Sequence, residues 1–135
     1  MKKEIDSTPV EFVPIGFVRT SAVDIPKHWT ISNVRGELVM DERLVKGLAD
    51  IAVGSELVVL FHFHKSPPFT RDLLKQTPPT RDRPRGVFST CSPVRPNAIG
   101  LSILEVLAIK KNVIEVNRID MLDGTPILDL KPHKK

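Results

Sequence analysis

The clearest hydrophobic pattern lies between Leu101 and Ile119. Leu101, Ile103, Glu105, Leu107 and Ile109 alternate with Ser102, Leu104, Val106 and Ala108. A period of two marks a β-strand whose two faces meet different surroundings. Lys110-Lys111-Asn112 breaks the run and predicts a turn, after which Val113 to Ile119 returns antiparallel. Glu56 to His64 is almost continuously apolar until its histidines, which predicts a strand covered on both faces and central in its sheet. Val10 to Thr20 and Asn33 to Met40 mix β-branched and apolar residues and predict two more strands, and β patterning resumes at Val87. Helical spacing is scarce. Asp41 to Leu48 is the best helix candidate, one or two turns long, with Asp41 as N-cap, Glu42 in the first turn and Lys46-Gly47 at the end. No internal repeat is visible. The expected fold is all-β or β-dominated, a sandwich or small β-barrel with one short helix.

The stretches between are punctuated by proline. Val23 to Ser32 reads as a loop around Pro26. Ser66 to Arg85 carries Pro67, Pro68, Pro78, Pro79 and Pro84, with Arg71, Lys75, Arg81, Arg83 and Arg85 against only Asp72 and Asp82. It reads as a long, basic, mobile loop, a kind of segment that in a compact domain is functional or disordered.

Length and composition narrow the classes. The 135 residues suit one domain over the whole chain, with 1–9 and 133–135 expected as flexible tails. Twelve prolines argue against a helical bundle. No apolar run could span a bilayer, and Met1 to Asp6 lacks the apolar core of a secretion signal, so no membrane association and a cytoplasmic location are expected. The single cysteine, Cys91, excludes an internal disulfide and a Cys-rich zinc site. A net charge of +4 suits a polyanionic partner without requiring one. The seven glycines form neither a dinucleotide-binding fingerprint nor a P-loop.

Candidate chemistry concentrates in two rigid turns. The first is Cys91-Ser92-Pro93-Val94-Arg95-Pro96-Asn97-Ala98-Ile99-Gly100; the second runs from Asp120-Met121-Leu122-Asp123-Gly124-Thr125-Pro126 to Asp129-Leu130-Lys131-Pro132. Proline fixes φ, and glycine permits what other residues avoid, so side chains on such turns are held in place. Arg95 offers a fork of donors matched to carboxylate or phosphate. Asn97 can bond to adenine N6 and N7 together or simply tolerate a left-handed turn. Asp120, Asp123 and Asp129 can hold hydroxyls, balance a cation or accept a proton, while Asp123-Gly124 also suits a tight turn. His62 and His64 share one strand face, but no third ligand is evident, and no metal is expected.

The first turn, preceded by Gly86-Val87-Phe88-Ser89-Thr90, resembles the G-F-T-R-S-P-x-R-P-N-P-I-G signature of the TrmO-like family, and the second resembles that family's D-x-x-D-G-T-P-v-x-D-I-K-P-Y. Pro14 to Thr20 and Ile25-Pro26 resemble its opening strand and cofactor loop, so the likeness runs from about Phe12 to Pro132. It implies a small barrel, a homodimer, and S-adenosylmethionine-dependent methylation of N6 on a threonylcarbamoyl-modified adenosine beside a tRNA anticodon. The resemblance implies a cofactor site at Pro26, Lys27, His28, His64, Lys65, Cys91, Leu101, Asp120, Met121, Leu122 and Asp123. It implies substrate-positioning roles for Arg95 and Asn97, with Asp129 or Asp123 as general base. The basic loop would follow RNA phosphates. Some positions depart from the family. Lys27-His28 replaces Arg-Gln, Ala98 replaces Pro and His133 replaces Tyr. Cys91 stands where the family has an arginine, a loss that weakens cofactor affinity unless Arg85 or Lys27 takes its place. Two other readings remain at this stage: an RNA- or ligand-binding barrel without transfer activity, and a methyltransferase with a substrate other than tRNA.

Overall fold

Strands that bury every second residue need a second apolar layer, and here the sheet supplies it by closing on itself. The computed structural model describes residues 4–79 and 81–134. Its strands are β1 (Gly16–Arg19), β2 (Gly36–Met40), β3 (Glu56–His62), β4 (Lys75–Gln76), β5 (Arg85–Gly86), β6 (Ile99–Lys110), β7 (Val113–Asn117) and β8 (Pro126–Pro132). Six of them form a closed antiparallel barrel in the order β1-β2-β7-β6-β3-β8, and β4 and β5 pair separately. Every second residue points inward: Val18, Leu38 and Met40, then Leu57, Val59 and Phe61, then Leu104 and Val106, with Ile114, Val116 and Ile127 completing the core. Extra residues enter the ladders beside Phe61 and between Val106 and Ala108, and such bulges add the bend that a small barrel needs.

Several sequence expectations change at their boundaries. Only Gly16–Arg19 of the stretch Val10 to Thr20 is strand, because Pro14 has no N–H for a ladder; residues 4–15 carry no regular secondary structure. β2 begins at Gly36 rather than Asn33, since Ser32 and Val34 are bonded to Ile119 outside the ladder. β3 stops at His62, where the Phe63 N–H turns to the Ala98 carbonyl. The expected helix forms over Glu42–Leu48 with Asp41 as its cap, but as a 3₁₀ helix. It is one of four 3₁₀ segments, and no α-helix occurs among the described residues. The Asp41 carboxyl, bonded to the Arg43 side chain and N–H, drops to about 2.

The basic connection is also not the unstructured loop that its prolines suggested. It contains a 3₁₀ turn over Arg71–Leu74 and the small β4–β5 hairpin, although Thr80 lies outside the described residues. Beyond it, Val87–Ser89 is a 3₁₀ turn and not strand, and β6 starts only at Ile99, past the prolines. Of the expected tails, 1–3 and Lys135 lie outside the described residues.

Candidate functional site at the barrel rim

The topology collects the chemistry at one end. β1, β3 and β7 finish at the rim where β2, β6 and β8 begin. The three connections that cross this rim are residues 20–35, 63–98 and 118–125. Every residue expected at the site lies on them, except Leu101, the third residue of β6, and Asp129, within β8. The structure therefore brings Pro26, Lys27 and His28 to the same rim as His64, Lys65, Cys91, Arg95, Asn97 and Asp120–Asp123.

The third connection is built by backbone demands. Thr125 donates from its N–H and hydroxyl to the Leu122 carbonyl at 3.1 and 2.6 Å, which closes a tight turn. Its third residue, Gly124, has φ of 84°, a value that a type II turn reserves for glycine. Asp123 accepts from the Thr20 N–H at 2.9 Å and so ties the turn to the end of β1. It is exposed, which leaves carboxylate surface at the rim. Met121, expected at the cofactor, instead points into the core and is 3% exposed. Packing has claimed this side chain, and only its backbone remains for a ligand. Leu122 and Leu101, by contrast, are exposed apolar surface.

The first connection is folded against the third. The Ser32 hydroxyl donates to the Ile119 carbonyl at 2.5 Å, and the Ile119 N–H to the Val34 carbonyl at 2.9 Å. His28 caps a 3₁₀ turn over Trp29–Ile31 by accepting at Nδ1 from the Thr30 N–H, and its ring lies 5.2 Å from that of Trp29. Burial pushes the Asp120 carboxyl above its ordinary range. The Ser102 hydroxyl, the His28 ring and the Trp29 N–H oppose that rise. The His64 ring is pushed down by burial and by Lys65 and His62.

The second connection, residues 63–98, is the longest. Its signature turn is held from behind by residues that the sequence did not single out. Ser66 Oγ donates to the Pro93 carbonyl at 3.0 Å. Gln76 Nε2, on β4, reaches the Leu73 carbonyl at 2.7 Å and the Val94 carbonyl at 2.8 Å. The basic hairpin is thereby fastened to the turn that carries Arg95. Arg95 Nη1 donates to the Thr90 and Ser92 carbonyls at 3.1 and 3.2 Å, with the guanidinium 6.0 Å from the centroid of the Phe88 ring. These bonds use one nitrogen of a group with five N–H donors. Asn97 is exposed, and its carbonyl accepts from the Ile99 N–H at 2.7 Å. Cys91 is a free, exposed thiol.

Asp129 is not part of this assembly. It sits three residues beyond Pro126 on β8, about 10 Å along the strand, and pairs with Lys131 at 2.9 Å. It lines a groove with Ile15, Met40 and the 3₁₀ helix at the opposite end of β1. Among the described residues, no group of three or more His, Cys, Asp or Glu side chains is arranged to hold a metal. No helix among them is long and apolar enough to cross a membrane.

The molecule is thus a β-barrel that carries its candidate site residues, Leu101 and Asp129 apart, on the loops of one rim. Residues 18–135 match the model of the tRNA-methyltransferase O N-terminal domain, and the chain belongs to that family. It is 35% identical over 123 residues to an S-adenosyl-L-methionine-binding protein of Archaeoglobus fulgidus, covering 89% of this chain and 86% of that one. A human tRNA (adenine(37)-N6)-methyltransferase is 42% identical over 79 residues, which is 58% of this chain and 18% of the relative. The crystal structure of TrmO from Pseudomonas aeruginosa superposes with a TM-score of 0.74 at 27% identity over 96% of this chain. The chain spans 58% of the length of that TrmO.

Proposed function

We propose that this barrel binds S-adenosylmethionine at its loop rim and directs the methyl group to N6 of a threonylcarbamoyl-modified adenosine beside a tRNA anticodon. The observation that carries the reading is the meeting, at one rim, of both motif turns with the His28–Trp29 turn. The chemistry of these groups suits the cofactor: carboxylates for hydroxyls and a sulfonium, an aromatic pair and exposed leucines for a base. When bound, S-adenosylmethionine supplies an electrophilic methyl on positive sulfur. The chain's part is to align the acceptor nitrogen and exclude water. Arg95 and Asn97 orient the modified base. As the N–C bond forms and the C–S bond breaks, the N6 proton must leave; Asp123, an exposed carboxylate on the motif turn, is its acceptor in this reading, and Asp129 has no role. The relatives' names support the donor and the tRNA substrate.

Calorimetry with S-adenosylmethionine, then mass analysis of tRNA nucleosides after reaction, tests the reading. Heat of binding and a methylated threonylcarbamoyladenosine are expected; a silent titration at millimolar donor would sink it. A non-catalytic RNA-binding barrel is favoured by one observation, Cys91 in the place of the family arginine. Arg71→Ala with Arg81→Ala on the basic connection tests the RNA contact that both readings share. In either reading this pair weakens RNA binding and lowers the slope of log affinity against log salt by about 2. The wild-type assay separates the two: a non-catalytic RNA-binding barrel would bind tRNA and leave every nucleoside unmethylated.

We also propose a homodimer. The outward faces of β3 and β6 pair Leu60 with Leu101 and Val58 with Ile103, and Leu101 is 53% exposed. Such an apolar strip on a closed barrel favours cover by a second copy. Light scattering should give twice 15.1 kDa, and a monomer at high concentration would refute the dimer.

A further inference from the structure

Gly100, Ser102, Leu104 and Val106 are the buried, inward-facing residues of β6, so Ser102 places a hydroxyl where its strand otherwise supplies core. Ser102 is 0% exposed. A buried hydroxyl without a partner is costly, so its bond reveals what it is for. That bond crosses from β6 to the β7–β8 connection, where Ser102 Oγ donates to Asp120 Oδ1 at 2.5 Å. The His28 ring and the Trp29 N–H of the β1–β2 connection also favour the charge on Asp120. Three chain segments therefore meet at one carboxylate.

We infer that Ser102 is a positioning residue: its hydroxyl fixes the Asp120 carboxylate beneath the rim and, through it, seats the His28–Trp29 turn beside the site. The consequence for binding rests on the reading that this rim holds S-adenosylmethionine; the positioning itself does not. A hydroxyl donating to a carboxylate favours the ionised form. The titratable side chain that acts on Asp120 is His28; the other groups that hold the carboxyl down are the Ser102 hydroxyl and the N–H groups of Trp29 and Asp120 itself. Asp120 is raised in the folded state above its unfolded value. Its contribution to stability is thus full below the unfolded value and is lost as pH rises through the folded one. Without the Ser102 hydroxyl, the folded value moves further up, and the carboxylate loses the donor that fixes its rotamer.

The test is an NMR titration of Asp-labelled protein without ligand, in wild type, Ser102→Ala and Ser102→Thr. In wild type, the Trp29 amide resonance should titrate with the Asp120 carboxyl. In Ser102→Ala the shared midpoint should move to higher pH, and Ser102→Thr, which keeps a hydroxyl, should restore it. A Ser102 that only fills space would lower stability and leave the midpoint where it was, which would overturn the inference. So would a wild-type Trp29 amide blind to Asp120, a result that needs no variant to fold. Donor affinity at neutral pH should fall about tenfold in Ser102→Ala and recover in Ser102→Thr. Equal affinity in all three would overturn the consequence for binding, and the titration would still decide the positioning. Failure of wild type to bind the donor would instead sink the cofactor reading, and the titration would still decide the role of Ser102.

Discussion

Gly100→Ala is expected to lower stability by about 1–3 kcal/mol, the cost of forcing extra atoms into a packed core. A Cβ at this position would stand 2.3 Å from Phe61 Cζ and 2.8 Å from Phe63 Cζ. Neither ring is free to yield. Phe61 is 3% exposed, and the two pack edge to face with centroids 5.0 Å apart. The glycine that closes the signature turn is thus the gap through which an aromatic pair reaches the β3–β6 seam. Gly47→Ala is the control, because a Cβ there meets nothing within 4 Å and the backbone is not left-handed. Chemical denaturation of both variants checks the expectation. Equal midpoints would mean that the rings have room to move.

Arg95→Ala is expected to slow methyl transfer by about 10²- to 10³-fold, the usual effect of removing one electrostatic contact to the reacting group. Donor affinity should change much less. Arg95→Lys should not restore the rate, since an ammonium spent on the Thr90 and Ser92 carbonyls leaves none of the planar fork that the other guanidinium nitrogens offer a substrate. Single-turnover kinetics beside calorimetry separates the two effects. If Arg95→Ala methylates at the wild-type rate, Arg95 is only the clasp of its own turn. If donor affinity falls as far as the rate, the turn shapes the cofactor site instead.

Alternation made the barrel strands legible. In β6 and β7 the inward residues share one core, and the turn at Lys110-Lys111-Asn112 is where the chain changes direction; β3 was legible instead as an almost continuous apolar run. Proline misled in two directions. Before β1, Pro14 shortened a strand that composition had extended to Val10. In the basic connection, proline density hid the β4–β5 hairpin, which a long-range bond from Gln76 fastens to Val94. The motif turns were visible as motifs, but their supports were not. Gln76, Ser66 and Thr20 are ordinary polar residues until the fold brings a carbonyl or carboxylate to each. Ser102 did carry a signal, a hydroxyl in register with Leu104 and Val106. Asp129 had a place in a motif and no place at the rim, because the motif continues along β8 after the turn has ended.

The placement of β8 has a kinetic consequence. It lies between β1 and β3, and its partners Phe17 and Gly16 are more than a hundred residues away in the chain. Pairing over such separations pays its loop-closure entropy before any contact repays it, so it forms late. The Asp120–Asp123 turn immediately precedes β8 and is tied to Thr20 at the end of β1. Its seam to β1 consists of two paired positions, the shortest junction in the barrel. The rim is therefore complete only when this seam shuts, and the seam is the weakest point from which the native protein can breathe. Amide protons of Val18 and Gly124, which cross it, should exchange sooner than those of the β3–β6 ladder, and ligand held at the rim should slow them.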